Sequence, residues 1–299
     1  MNNTLPLVSI MIPVYNREAI ISETIKCAIN QTYKNIEIII SDNCSTDGTW
    51  AVLQEYAKKD NRIKLFKNEA NIGPVLNWKV CIDKIQGEFT KILWSDDLIS
   101  LDFIEKTIKV FDDETAFVMS GIKFFNSDIK NIFAETKFQK KLVYTKNDYL
   151  KDILVYGKKD FPVSPGCALF RTTDIKSSYT EEIPNCENLV FKKYGAGNDL
   201  LFFLITANKY EYVKTTDKAI SFFRSHSDSF SVSNNLVIFY EYAKWYFIKN
   251  NFYTLKKVYK SKLTIEAKIL PELSVLNNSI PDKFSYINQF LFRISRLIS

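Results

Sequence analysis

Histidine is nearly absent from this 299-residue chain, which has one, His226. A metal centre built on several imidazoles is therefore excluded, and Ser-His-Asp or Cys-His chemistry would have to run through that single ring. Cysteine is sparse as well. The five thiols, Cys27, Cys44, Cys81, Cys167 and Cys186, are odd in number and never stand in a CxxC spacing. This disfavours both a disulfide framework and a zinc knuckle, and favours a reducing, cytoplasmic compartment. Only 8 glycines and 8 prolines accompany 14% aromatic residues, which excludes disorder and collagen-like repeats. The 46% of hydrophobic residues suffices for one large or two small cores. Long apolar runs are missing too: the longest, Leu200 to Ile205, falls far short of the roughly 20 residues a membrane span requires. The start, MNNTLPLVSIMIPVYN, has no basic n-region or small-residue cleavage site and reads as a first strand.

Charge is unevenly spread. The net charge is +6, and residues 240–299 hold ten Lys/Arg against four acidic residues, leaving 30 of each sign in the first 239. A neutral front and a basic, aromatic tail suggest two parts with different partners. Within the tail, Phe284, Ile287, Phe290, Leu291, Ile294, Leu297 and Ile298 fall at helical spacing, with Lys283, Arg293 and Arg296 on other faces. Such a helix either docks on the rest of the protein or lies at an anionic membrane surface. Nucleic acid is not an expected partner, because the tail carries no recognised nucleic-acid fold motif.

The first third alternates between short β-branched runs and helical patterns. Strands are expected at Val8 to Val14, Glu37 to Ser41, Ile63 to Phe66 and Phe89 to Trp94, with helices at Ile20 to Ile29, about Asp47 to Lys58, and Val75 to Ile85. That alternation predicts an α/β fold, a mostly parallel sheet with helices on both faces. Further strands are expected at Phe117 to Ser120 and Ala168 to Arg171, and a set of helices from Leu236 onward. Polar clusters follow three strands: Tyr15-Asn16-Arg17, Asp42-Asn43 and Ser95-Asp96-Asp97. In open α/β sheets ligands bind beyond the carboxyl ends of the strands, so these clusters should line one crevice.

Asp96-Asp97 is the strongest local signal. Adjacent carboxylates at a sheet edge repel unless a cation lies by them, and oxygen-only ligation suits Mg²⁺ or Mn²⁺ bridging to phosphate. The plain alternative is an acidic cap on the helix beginning near Leu101.

Four motifs, in order, carry a resemblance: Val8-Ser9-Ile10-Met11-Ile12-Pro13-Val14-Tyr15-Asn16-Arg17, Ile38-Ile39-Ile40-Ser41-Asp42-Asn43-Cys44-Ser45-Thr46-Asp47-Gly48-Thr49, Asn71-Ile72-Gly73 and Ser95-Asp96-Asp97. Together they resemble the family 2 glycosyltransferases of the GT-A fold, closely over residues 5 to 110, more weakly to about 230 and not beyond. The resemblance implies a GT-A catalytic domain over 1–235, with a nucleotide-binding half (1–110) and an acceptor-binding half (111–235), and a basic helical extension over 236–299. It also implies a nucleotide-sugar donor. Asp42 takes the place of the carboxylate that accepts the uracil N3–H, which favours UDP or dTDP. Pro13 and Tyr15 would pack on the base, with Arg17, Asn71, Gly73 and Ser95 also at the donor, and Asp96 would face the ribose or a metal-bound water.

Asp97 would be the direct ligand of Mg²⁺ or Mn²⁺. The family's usual Asp-x-Asp motif is altered, because Trp94 occupies the first carboxylate's position. In Gly195-Ala196-Gly197-Asn198-Asp199 the resemblance makes Asp199 the catalytic base of an inverting transfer, a role compatible with its also capping the helix that follows. In Arg224-Ser225-His226, Arg224 would grip a phosphate oxygen and His226 would complete the metal's shell. Ser164-Pro165-Gly166-Cys167-Ala168 would border the acceptor, giving Gly166 and Cys167 as acceptor-site candidates, though a plain turn explains the segment equally well. The expected activity is sugar transfer from a UDP-sugar to a glycan acceptor, lipid-linked, for a bacterial surface polysaccharide, by a cytoplasmic protein that could sit peripherally at the inner face of the membrane. The rival is a non-catalytic assembly protein that keeps the nucleotide fold; Trp94 favours it, while Asp96, Asp97 and Asp199 oppose it.

Overall fold

The computed structural model describes residues 5–136, 142–157, 161–225, 236–252, 255–268 and 270–280. The chain opens β1 (Val8–Val14), α1 (Ile21–Ile29), β2 (Ile36–Asp42), α2 (Thr49–Lys59), β3 (Ile63–Lys67), α3 (Pro74–Lys84) and β4 (Phe89–Ile92). A short β5 (Leu98–Ile99) and α4 (Phe103–Ile108) follow, then β6 (Thr115–Phe125), β7 (Ile132–Thr136), β8 (Val143–Thr145), α5 (Lys146–Lys151), β9 (Ala168–Arg171), α6 (Thr172–Ser178), α7 (Phe191–Tyr194), α8 (Asn198–Ala207) and β10 (Tyr212–Arg224). The described part of the chain ends in α9 (Val237–Asn251), α10 (Leu255–Glu266) and α11 (Ser274–Ser279).

The ten strands form one sheet in the order β3-β2-β1-β4-β9-β6-β10-β5, with β7 beside β6 and β8 beside β10. β9 runs antiparallel to both of its neighbours, so β3, β2, β1, β4, β6 and β10 all point the same way. Their carboxyl ends therefore meet along one edge. The period-2 pattern of the buried strands separates two cores. Val8, Ile10, Ile12, Ile38 and Ile40 face the layer of α1, α2 and α4, while Met11 and Ile39 face the other side. The N-terminal strand–helix pairs lie within two residues of their expected bounds.

Helix α8 is apolar all round, and it is buried all round. Leu200, Leu201, Phe202, Phe203 and Leu204 are each at most 1% exposed. Phe203 packs edge-on to Phe117 of β6 at 4.8 Å, and Phe202 lies 6.4 Å from Trp78 of α3. On its other side sits α9, whose Phe239, Tyr242, Ala243 and Phe247 join the same core, as do Tyr259, Leu263 and Leu276 further on. The described residues between 236 and 280 thus contribute to the same core as α8.

Burial also redistributes the tail's charge. Glu241, buried in α9, accepts from Lys244 at 2.6 Å, Lys262 at 3.0 Å and the Tyr259 hydroxyl at 2.8 Å. Its neighbouring cations hold its carboxyl down, at about 2, against burial, which pushes the other way. Lys260 donates to the Asn277 carbonyl. Lys244, Lys260 and Lys262 are therefore spent inside the protein and do not face a membrane. The apolar positions from Phe284 to Ile298 lie outside the described residues. Among those described, no helix is long and apolar enough to cross a membrane. Glu241→Ala strands two buried ammonium groups, and the expected loss is about 3–5 kcal/mol of stability in urea unfolding; a loss below about 1 kcal/mol would show that the cluster is solvated.

Candidate active site

A cleft of about 810 Å³ opens at the carboxyl edge of the sheet. Each same-direction strand delivers residues to it: Pro13 from β1 with Tyr15 and Arg17 after it, Asn43 after β2, Asn71 and Gly73 after β3, Trp94 to Asp97 after β4, Phe124 from β6 and Phe223-Arg224 from β10. The far wall is Lys193, Tyr194, Asp199 and Tyr240. Three separate polar clusters are thus gathered at one crevice.

Asp42 does not reach it. The residue is 0% exposed, and its carboxylate accepts from the Ser45 hydroxyl at 2.5 Å and the Ser45 N–H at 3.2 Å. Its carboxylate braces the turn after β2, and the residue presented to the cleft there is Asn43. Asn43 donates to Asn71 Oδ1 at 2.8 Å and accepts from Asn68 at 3.0 Å. Asn71 Oδ1 also accepts the Gly73 N–H at 3.0 Å, which fixes the entry to α3.

On the β4 side, Asp96 pairs with Arg17 at 3.6 Å. Asp97 is buried and accepts the Arg224 backbone N–H at 3.0 Å. Burial above all, then the adjacent Asp96 charge, pushes its carboxyl well above the usual range. Beneath it Lys91 is fully buried, over the Phe103 ring at 4.2 Å, and burial lowers its ammonium to about 8. Arg224 lines the cleft, but its guanidinium is already engaged with Glu23 at 2.7 Å, the Asp96 carbonyl at 3.0 Å and the Ser127 carbonyl at 3.2 Å. It clamps the Asp96-Asp97 turn, where a grip on phosphate was expected. His226 lies outside the described residues. Among the described residues, no group of three or more His, Cys, Asp or Glu is arranged to hold a metal. The adjacent carboxylates of Asp96 and Asp97 offer oxygen-only donors of the kind that suit a hard cation.

Trp94 stacks obliquely on Trp78 at 5.1 Å and donates Nε1–H to Ser164 at 2.9 Å. Gly166 and Cys167 lie behind it, both buried, and the Gly166 carbonyl accepts from Lys91 and from Ser221. Neither is among the residues lining the cleft; the segment reaches it through Ser164.

Asp199 opens α8. Its Oδ1 accepts the N–H groups of Gly197 at 3.0 Å and Leu200 at 2.7 Å, and its Oδ2 accepts the Tyr240 hydroxyl at 3.0 Å. Burial raises its carboxyl to about 7 despite these donors. The flanking glycines are packing positions as well as turns: at Gly195 (φ +74°) a Cβ would stand 2.5 Å from Trp78, and at Gly197 (φ +85°) 2.7 Å from the Phe239 carbonyl of α9. Tyr240 was not foreseen, since a tyrosine in a helical tail carries no local sign of a partner 41 residues earlier.

Residues 9–177 match the sequence model of glycosyl transferase family 2. The chain belongs to that family. Asp199, Arg224 and Tyr240 all lie beyond the matched segment. The chain is 39% identical over 94 residues, 31% of its length and 30% of the relative's, to a Campylobacter jejuni GalNAc(5)-diNAcBac-PP-undecaprenol β-1,3-glucosyltransferase. It is 30% identical over 122 residues to the Streptococcus pneumoniae glycosyltransferase GlyG, covering 41% of this chain and 40% of that one. It spans about half or less of the length of such relatives. Staphylococcus aureus TarS 1-349, solved in complex with UDP-GlcNAc, shares the fold at a TM-score of 0.67 and 20% identity, over 87% of this chain and 72% of that one. The mannosyltransferase PcManGT from Pyrobaculum calidifontis, solved with GDP-Man and Mn²⁺, gives 0.53 and 16%, over 93% and 80%. The architecture is thus that of the GT-A glycosyltransferases.

Because the Asp199 carboxyl titrates higher in the folded chain (about 7) than its ordinary 3.8, the native state holds the extra proton, and stability falls as pH rises through that window. Asp199→Asn cannot ionise. Its unfolding free energy relative to wild type should therefore climb between about pH 4 and pH 7 in urea unfolding; a difference that stays flat would contradict the desolvation.

Proposed function

We propose that this protein transfers a sugar from a UDP-sugar to a hydroxyl of a glycan acceptor with inversion at the anomeric carbon. We further propose that the acceptor is lipid-linked and belongs to a bacterial surface polysaccharide. The observation that carries this reading is Asp199, a desolvated carboxylate in the same cleft as the Asp96-Asp97 turn. Oδ1 already takes two backbone donors and Oδ2 only one from Tyr240, so Oδ2 is the atom with capacity for an acceptor O–H. In the proposed step that hydroxyl gives its proton to Asp199 as its oxygen bonds to the anomeric carbon. The bond from that carbon to the diphosphate oxygen breaks, and its electron pair leaves with UDP.

Pro13 and Tyr15, with Asn43 and Asn71, would hold the base end of the donor, and Arg17 and Ser95 would lie nearer the sugar phosphate. Asp42 would act through the turn it braces. Asp96 and Asp97 would hold Mg²⁺ or Mn²⁺, whose chemistry when bound is to neutralise charge on the departing diphosphate. The UDP-GlcNAc complex of TarS supports the uridine donor, and the undecaprenol-linked substrate named for the Campylobacter relative supports the lipid-linked acceptor. Exposed Lys249, Lys257 and Lys268 leave part of the tail's positive charge available to a membrane surface.

A panel of UDP-sugars scored for UDP release, with and without Mn²⁺, tests the assignment. The expected result is metal-stimulated release that rises with pH through about 7, with Asp199→Asn lowering it by about 10²–10⁴-fold. Full activity in Asp199→Asn would overturn the base.

A further inference from the structure

Tyr240 stands outside both the segment matched by the family model and every motif in the sequence, yet it touches the proposed base. We infer that Tyr240 is a positioning residue which holds Asp199 Oδ2 in the orientation that receives the acceptor proton, making α9 part of the catalytic apparatus. The inference rests on the reading of Asp199 as the base.

Three observations carry it. The Tyr240 hydroxyl is 3.0 Å from Oδ2, the oxygen not already occupied by the backbone donors at the start of α8. Both side chains line the cleft, so the contact sits where an acceptor would arrive. α9 is locked against this corner: its Phe239 carbonyl lies against Gly197, Phe239 packs on Phe191 at 5.0 Å and on Tyr194 at 5.1 Å, and its inner face is core. The geometry therefore fixes the carboxylate's second oxygen from a separate element, as backbone donors at the helix start cannot.

Tyr240 is also the one titratable side chain hydrogen-bonded to Asp199 among the described residues; Lys193 and Tyr194 line the same wall without such a bond. Burial and the neighbouring carboxylate push its phenol well above its ordinary value, so it stays a neutral donor wherever Asp199 titrates. A donor to the ionised form favours that form. Tyr240 thus opposes the desolvation and keeps the base ionised closer to neutrality.

The test compares full-length wild type, Tyr240→Phe and Tyr240→3-fluorotyrosine, a near-isosteric and stronger donor, with Phe247→Leu as a control that loosens α9 away from the cleft. The pH profile is read in two ways: UDP release from the UDP-sugar panel, and the pH dependence of the stability difference between each protein and its Asp199→Asn counterpart, which needs no substrate. The expected result is an acid limb displaced upward by about one pH unit in Tyr240→Phe, costing roughly fivefold in activity at pH 7 and approaching about tenfold at lower pH. The limb should move downward in the fluorotyrosine protein and stay put in Phe247→Leu. An unmoved limb in both Tyr240 variants, or the same movement in Phe247→Leu, overturns the inference. Retained activity in Asp199→Asn would instead overturn the base assignment, so the two failures are told apart.

Discussion

The burial of α8 is the constraint to which the rest of the cleft is referenced. Its apolar surface on every side leaves it one stable place, between the sheet and the C-terminal helices. Seating it brings Phe203 onto β6 and β9, Phe202 onto the tryptophan of α3, and Asp199 to the cleft edge. Loosening this packing would move the carboxylate relative to every donor-side residue. The glycines before α8 exist for the same seat, since a side chain at either would strike Trp78 or the backbone of α9.

Two carboxylate sites face the cleft, and their environments differ. At Asp96-Asp97 the charge is surrounded by fixed cations, with Arg17 beside it, Arg224 clamping the turn and Lys91 beneath. Among the described residues Asp199 has only neutral donors, and burial dominates it. A pair that needs positive charge beside it and a lone group poised near neutrality are suited to different tasks, the first to holding a diphosphate and its cation, the second to moving a proton.

The N-terminal half was legible because its strands are uninterrupted β-branched runs and its cleft residues sit at or directly after their ends. β10 was not. Thr216, Asp217 and Lys218 break its pattern, and the structure absorbs them as a register shift between Thr216 and Ile220 against β6. The two-residue β5 is held by β10 alone and has no period to detect. Asp42 and Asp199 illustrate a second limit. Both are carboxylates beside a turn, and only packing decides that the first is sealed under Ser45 while the second faces the cleft. The burial of part of the tail's charge was hidden for a similar reason, because the sequence does not show that Glu241 draws two lysines inward. Tyr240 is the clearest case: its role exists only once α9 lies against α8.

The proposed transfer is a single displacement driven by one carboxylate, and the configuration of the new bond reports it. Proton NMR of the product formed from an α-configured UDP-sugar should show a β-glycosidic linkage. An α-linkage, which requires either two displacements or front-face attack, would rule out a single back-face displacement.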